Sequence, residues 1–128
     1  MRQLIDTHSF LWFVWDDSRL SEKVAARIED PSVETFISAA SLWEIAIKVS
    51  LGKLILAQPL DQFLPNQLDQ NGFALLPITL TDVCRVSFLP FHHRDPFDRM
   101  IAAQCLERDL PLLSADPAFD TYGVQRIW

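Results

Sequence analysis

The stretch His92-His93-Arg94-Asp95-Pro96-Phe97-Asp98-Arg99-Met100-Ile101-Ala102-Ala103-Gln104 governs how the rest of the chain is read. Asp95 suits an N-cap, and Pro96 suits the first helical position, where a missing N–H costs nothing. Phe97, Ile101 and Cys105 then recur at i, i+4 and i+8, the spacing of a buried helical stripe. Asp98 falls in the first turn, off that stripe. Two carboxylates at one helix start, with Arg94 and Arg99 beside them, serve either as caps or as part of a metal site.

Upstream, Gln3-Leu4-Ile5 reads as a short buried strand ending in Asp6, followed by an almost wholly apolar helix from Thr7 to Trp15. Leu20, Val24 and Ile28 mark a second helix capped by Ser21 and closed by Asp30-Pro31. Glu34 to Ser38 is β-branched and aromatic, a second strand. A helix over Ser41–Leu51 follows, stopped by Gly52. It carries two apolar stripes, one of Leu42, Ile45, Ala46 and Val49, the other of Trp43, Ile47 and Leu51. Pro59 to Gln70 reads as helix and Phe73 to Ile78 as strand. Thr79 opens a further helix, with Leu80, Val83, Cys84 and Ser87 on its inner side. After the opening stretch, a helix to Arg108, Leu110–Ser114 and Gly123–Trp128 read as the last strands. Alternating strands and helices imply an α/β fold with a central parallel sheet of four to five strands and helices on both faces. In such folds ligands sit outside the carboxyl ends of the strands.

The chain has 128 residues, 49% of them hydrophobic and 22% charged, which suits one globular domain over 1–128. A formal net charge of −6 argues against broad charge-driven binding of nucleic acid or anionic membrane, though not against a local basic rim. Cys84 and Cys105 read as small buried residues in a reducing compartment rather than a disulfide. Asp6 and His8 interrupt any leader-like apolar run, and no segment reaches the roughly 18 to 20 apolar residues of a membrane span. The expectation is a cytoplasmic protein with no membrane contact.

Acids stand where the parallel-sheet rule looks for ligands. Asp6 closes the first strand and Asp116 follows the fourth; Glu44 and Asp98 lie in the first turns of the helices beside them. Clustered carboxylates repel unless a cation neutralises them, and hard oxygen ligands select Mg²⁺ or Mn²⁺. Several of these acids also have a plainer reading. Ser41-x-x-Glu44 fits a capping box, while Asp95-Pro96 and Asp116-Pro117 fit caps before a proline at N1. Only Asp6 has no evident structural duty. The shared location carries the argument.

These residues resemble the PIN-domain ribonucleases, and within them the VapC-type toxins of bacterial toxin–antitoxin pairs. The likeness spans nearly the whole length and rests on Leu4-Ile5-Asp6-Thr7-His8, Ser41-Leu42-Trp43-Glu44-Ile45, His93 through Gln104, and Leu113-Ser114-Ala115-Asp116. It implies a three-layer α/β/α PIN-like domain in which Asp6, Glu44, Asp98 and Asp116 form a catalytic quartet binding Mg²⁺ or Mn²⁺. It also implies supporting roles for Thr7 and Ser114. Asp95 stands as an alternative to Asp98 for the third acid, or as its supporting cap. The implied partners are a VapB-type antitoxin, a second copy of the chain in a homodimer, and an RNA of the tRNA or rRNA class.

Arg94 and Arg99 are candidates for holding phosphates, or else for salt bridges to the acids. Lys48, one turn beyond Glu44, reads as its i, i+4 partner. His92 and His93 offer metal-binding or general-base chemistry, but a surface loop pair before a helix is the commoner case. The crowded Trp12, Phe13 and Trp15, together with the second stripe of the Ser41–Leu51 helix, suggest a face covered by a partner. The expected activity is endoribonucleolytic: metal-activated water hydrolyses a phosphodiester and leaves 5′-phosphate and 3′-hydroxyl ends. A non-catalytic PIN-like protein-binding module is the alternative. A haloacid-type phosphatase is excluded because the first strand lacks an Asp-x-Asp nucleophile motif.

Overall fold

A computed structural model describes all 128 residues. Five parallel strands form one sheet in the order β3-β2-β1-β4-β5, with β1 Arg2–Ile5, β2 Glu34–Ser38, β3 Ala74–Leu76, β4 Leu112–Leu113 and β5 Arg126–Ile127. The helices are α1 Thr7–Val14, α2 Glu22–Glu29, α3 Ala39–Ser50, α4 Leu60–Asn71, α5 Leu80–Phe88 and α6 Pro96–Arg108, with a 3₁₀ helix at Pro117–Tyr122. Strand alternation divides the core into two layers. Leu4 aligns with Phe36 and Leu112 and packs with Ile101, Cys105, Leu110 and Phe119 on one face. Ile5 aligns with Ile37 and Leu113 and packs with Phe10, Val24, Ile28 and Ile45 on the other. The result is the expected three-layer α/β/α sandwich.

β3 and β4 are shorter than their apolar runs predict. Pro77 follows β3 and Pro111 precedes β4, and neither can donate to a ladder. Two helices also differ from the sequence reading. α3 starts at Ala39, because Ser38 supplies the cap by accepting from the Ala40 N–H at 3.0 Å. The Ser41–Glu44 capping box therefore does not form. Ser41 is buried instead and accepts from Thr7 Oγ1 at 2.9 Å, tying α3 to the start of α1.

α5 turns a different face inward. Leu80, Val83 and Cys84 are exposed, and so is Ser87; the buried positions are Asp82 and Leu89. The cause is polar. Asp82 closes a capping box with Thr79, accepts from Gln104 Nε2 at 3.2 Å, and takes both ends of the Arg108 guanidinium at 2.7 and 3.0 Å. Fixing Asp82 against α6 sets the helix phase over the competing apolar stripe. Cys105, by contrast, is buried as expected, and burial pushes its thiol pKa up.

Burial alone would raise the Asp82 pKa, yet Arg108, the Thr79 N–H and Gln104 together hold it at about 2. Because the folded-state value is depressed, the stabilisation is present above the ordinary value of 3.8 and is lost as pH falls through about 2. Asp82→Asn is expected to cost ~2–3 kcal/mol near neutral pH, measured by urea unfolding, with the gap to wild type narrowing in strong acid. Equal unfolding midpoints at neutral pH would show that the network does not hold α5.

Candidate metal centre

The sheet order places β1 beside β4, and the chain leaves these two strands in different directions. The crevice outside their carboxyl ends is the topological switch point of the fold. Asp6 follows β1 directly and is 5% exposed. Its Oδ1 accepts from the Ser9 N–H at 2.9 Å, capping α1, and its Oδ2 accepts from Ser114 Oγ at 2.6 Å. Ser114 follows β4, and its Oγ also accepts from the Asp116 N–H at 3.0 Å, so one hydroxyl couples the acids after the two central strands. Asp116 caps the 3₁₀ helix through Ala118 N–H at 2.9 Å and leaves its other oxygen free of that duty.

Asp95 caps α6 as the sequence requires, its Oδ1 accepting from the N–H groups of Phe97 at 2.8 Å and Asp98 at 3.3 Å. Asp98 stands in the next half-turn, with a side chain 17% exposed. Its pKa is pushed up to about 7, first by desolvation, then by the charges of Asp95 and Asp6, with Glu44 adding to them and His93 opposing. Burial likewise raises the Asp6 pKa, against the hydrogen bonds from Ser114 and Ser9. Loss of water leads both shifts, and neighbouring negative charge adds to it at Asp98. Glu44 is 5% exposed; Lys48 pairs with its Oε2 at 3.0 Å, as the i, i+4 spacing predicts. Its Oε1 is buried with no hydrogen-bond partner, one of three such side-chain atoms in the protein and the only one on a charged group.

His93 is the residue the sequence reading undervalued. His92 is exposed and rests against Tyr122, but His93 is drawn in, its Nε2 lying 3.1 Å from Asp98 Oδ2 and 3.1 Å from Asp116 Oδ2. Its Nδ1 accepts from the Asp95 N–H at 3.0 Å. A ring nitrogen that accepts carries no proton, so the neutral ring holds its hydrogen on Nε2 and donates it to the two carboxylates. His93, Asp98 and Asp116 lie close enough to resemble a three-ligand cation site. The tautomer gives His93 a different part, that of a donor holding two acids at one point. Asp6 and Glu44 stand near enough for their charges to act on Asp98, so their oxygens, with those of Asp98 and Asp116, are the candidates for holding an ion. A hard divalent cation fits that all-oxygen set and would satisfy the orphaned Glu44 oxygen. The only sequence signal for His93 is its place two residues before Asp95.

The two arginines part company. Arg94 is exposed and makes no hydrogen bond. Arg99 is 6% exposed and turned into the loop before α6, donating to the carbonyls of Pro90, Val86 and Leu89 and to Tyr122 Oη. It is spent on backbone, neither paired with an acid nor open to a phosphate. Thr7 supports the α1–α3 junction through Ser41. The largest surface hollow, about 740 Å³ around Met1, Arg2, Glu29, Asp30 and Glu34, lies at the opposite edge of the sheet and gathers no comparable set.

The PIN domain family model matches residues 4–125, which is nearly the whole chain. The chain belongs to the PIN domain family. No curated protein sequence matches it. Solved structures resemble this PIN domain at low identity. VapBC2 of Rickettsia felis, bound to a promoter DNA fragment, aligns with a TM-score of 0.72 at 12% identity over 99% of this chain and 98% of that one. FitAcB of Neisseria gonorrhoeae aligns with a TM-score of 0.67 at 21% identity over 100% and 97%. A toxin–antitoxin complex of Klebsiella pneumoniae also gives 0.67, at 15% identity over 98% and 96%. At such identities the likeness is one of fold, and it extends over the full length of both chains.

No helix of this PIN domain is long and apolar enough to cross a membrane. The partner-facing expectation for α1 is met only in part. Trp12 packs edge-on against Trp128 at 5.8 Å and Phe13 against Phe73 at 5.8 Å, leaving Trp15 as the exposed member. The second stripe of α3 does face outward: Trp43 and Leu51 are each 62% exposed. Trp43 also borders an apolar cavity of about 270 Å³ with Ala40, Ile78, Val86, Phe97 and Met100.

Proposed function

We propose that this PIN domain is a divalent-metal-dependent endoribonuclease and the toxin of a toxin–antitoxin pair. The observation that carries the proposal is the crowding of acids: a buried Glu44 oxygen without a hydrogen-bond partner, near an Asp98 whose ionisation its acidic neighbours oppose. Such a set is costly in a folded protein unless a cation is part of the working state. Asp6, Glu44, Asp98 and Asp116 would hold Mg²⁺ or Mn²⁺. The bound ion supplies activation of the attacking water and neutralises charge developing on the phosphodiester. Ser114 and His93 keep the carboxylates at a common point, Asp95 orients His93 and caps α6, and Thr7 fixes α1 against α3. Arg94 holds a phosphate of the strand. The substrate is an RNA of the tRNA or rRNA class, and the protein works in the cytoplasm.

Two supports bear on the partners. The similar structure from Klebsiella pneumoniae is described as a toxin–antitoxin complex, and the one from Rickettsia felis as VapBC2 bound to a fragment of its promoter. This chain also leaves Trp43, Leu80, Val83 and Phe88 exposed. A homodimer and a VapB-type antitoxin together would cover that surface.

The purified protein is expected to cut total cellular RNA into discrete fragments with Mg²⁺ or Mn²⁺ and to leave it intact in EDTA. Asp6→Asn and Asp116→Asn should abolish the fragments while remaining folded by circular dichroism. Intact RNA under both metals, with Mn²⁺ failing to bind at millimolar concentration, would overturn the catalytic reading and leave a protein-binding module.

A further inference from the structure

The basic residues of this acidic chain are nearly all committed. Arg19, Arg85, Arg108 and Arg126 pair with Asp17, Glu107, Asp82 and Asp120, Lys48 pairs with Glu44, Arg27 donates to Gln3, and Arg99 is buried on backbone carbonyls. Of the 11 lysines and arginines, only Arg2, Lys23, Lys53 and Arg94 have side chains with no hydrogen bond or ion pair. Two of these four, Lys53 and Arg94, open on the same hollow of about 400 Å³, and Lys48 lines it as well. They come from three separate places: Lys48 from the last turn of α3, Lys53 from the loop after it, and Arg94 from the loop before α6. Chance pairing on a surface of net charge −6 would bring each to the nearest acid. Here two are left free, facing each other across a shared space.

The hollow is continuous with the acid site, because Glu44 and Asp95 form part of its lining. Ile47, Leu51 and Phe97 supply apolar walls, so a charge seated there is partly removed from water and feels the three cations more strongly. The geometry points to a phosphate subsite: the hollow between Lys48, Lys53 and Arg94 holds an internucleotide phosphate of a single strand whose neighbouring phosphate lies at the acids. This inference rests on the nuclease reading and names the contact that positions its substrate. Lys53 and Arg94 bind the phosphate directly. Lys48 stays with Glu44 and adds its field. Contacts of this kind fix register without reading sequence, so the subsite should act alike on RNAs of different sequence.

The test is equilibrium binding of a fluorescein-labelled, mixed-sequence single-stranded RNA in Ca²⁺, followed by anisotropy across a salt series. Lys53→Gln with Arg94→Gln is compared with wild type and with Arg2→Gln with Lys23→Gln, which removes the same charge elsewhere. All four side chains are free of partners, so neither double variant should change the thermal midpoint. Losing the one phosphate that this pair neutralises is expected to flatten the slope of log K against log salt by about 0.7 and to weaken binding roughly 5-fold at about 0.1 M salt. The Arg2 and Lys23 pair should bind like wild type.

Equal weakening in both double variants would overturn the subsite in favour of general charge, and so would an unchanged slope in the Lys53 and Arg94 pair. Failure of the wild type to bind the RNA, with polyglutamate binding in a Lys53- and Arg94-dependent way, would overturn it in favour of an acidic protein segment. Binding with the expected slope change but no cleavage in Mg²⁺ or Mn²⁺ would uphold the subsite and remove the nuclease reading. Cleavage that both double variants share with wild type, at equal KM, would do the reverse.

Discussion

Asp98→Asn should unfold at a higher temperature than wild type when both are held in EDTA at about pH 8, and it should cleave no RNA. The stabilisation follows from the direction of the pKa shift. The Asp98 carboxyl sits near 7 in the folded chain against 3.8 for the free group, raised by desolvation and by Asp95 and Asp6. A carboxyl whose folded value is raised binds its proton more tightly when folded. The associated stability is therefore complete below the unfolded value and is lost as pH rises through about 7. At about pH 8 the metal-free wild type carries the whole penalty, of order 2–4 kcal/mol for a shift of this size in a group that keeps some contact with water. For a chain of this length that corresponds to roughly 6–12 °C in the midpoint. Asparagine removes the charge but still accepts from His93 Nε2.

The same reasoning fixes the controls. In acid of about pH 4 the two proteins should unfold together, since Asp98 is then protonated in wild type. Mn²⁺ should lift the wild type at about pH 8 and do much less for the variant, because an ion that binds only the folded state stabilises by mass action in proportion to its affinity. Equal midpoints in EDTA at both pH values would sink the account of the site as stored repulsion. A midpoint that rises with cleavage intact would remove Asp98 from the metal set and return Asp95 to it.

What the sequence disclosed of this site is the part written in local code. Asp95 and Pro96 announce the start of α6 because capping and a proline at N1 need only neighbouring backbone. Asp6 and Asp116 were readable because the end of a parallel strand is a position that topology makes special. Ser38 was overlooked as the α3 cap because Ser41 offers the same chemistry three residues later. The choice was made by Thr7, a residue distant in sequence that engages Ser41. The inward face of α5 was misjudged for a related reason. The apolar stripe of Leu80, Val83 and Cys84 is the stronger pattern, but the bidentate ion pair of Asp82 with Arg108 lies outside any helical periodicity. Arg99 carries no local signature, and His93 only its place two residues before Asp95. Their roles exist only once Asp116 and Tyr122 have been brought to them across the fold.

For stability, Arg99→Ala should be among the most damaging single substitutions in the protein and Arg94→Ala among the mildest, although the two stand five residues apart and look alike in sequence. The Arg99 guanidinium reaches Pro90 O at 2.9 Å and Tyr122 Oη at 3.3 Å through Nη1, and Val86 O at 3.1 Å and Leu89 O at 3.2 Å through Nη2. Phe91 covers it at 4.3 Å. Truncation leaves a cluster of carbonyls that a single water cannot satisfy, for a loss of about 3–5 kcal/mol by urea unfolding. Lysine should recover little, since one ammonium cannot span the two sides of the fork.

The damage should also reach the acids. Tyr122 Oη accepts from the His93 N–H at 2.9 Å, so Arg99 and His93 share that phenol, and the loop it anchors carries both His93 and Asp95. At a temperature where the variant is still folded, Mn²⁺ should bind it more weakly than wild type, whereas Arg94→Ala should bind the ion as wild type does. An Arg99→Ala protein as stable as wild type would show that the loop holds itself. Lost stability with unchanged Mn²⁺ affinity would show that the acids keep their places without it.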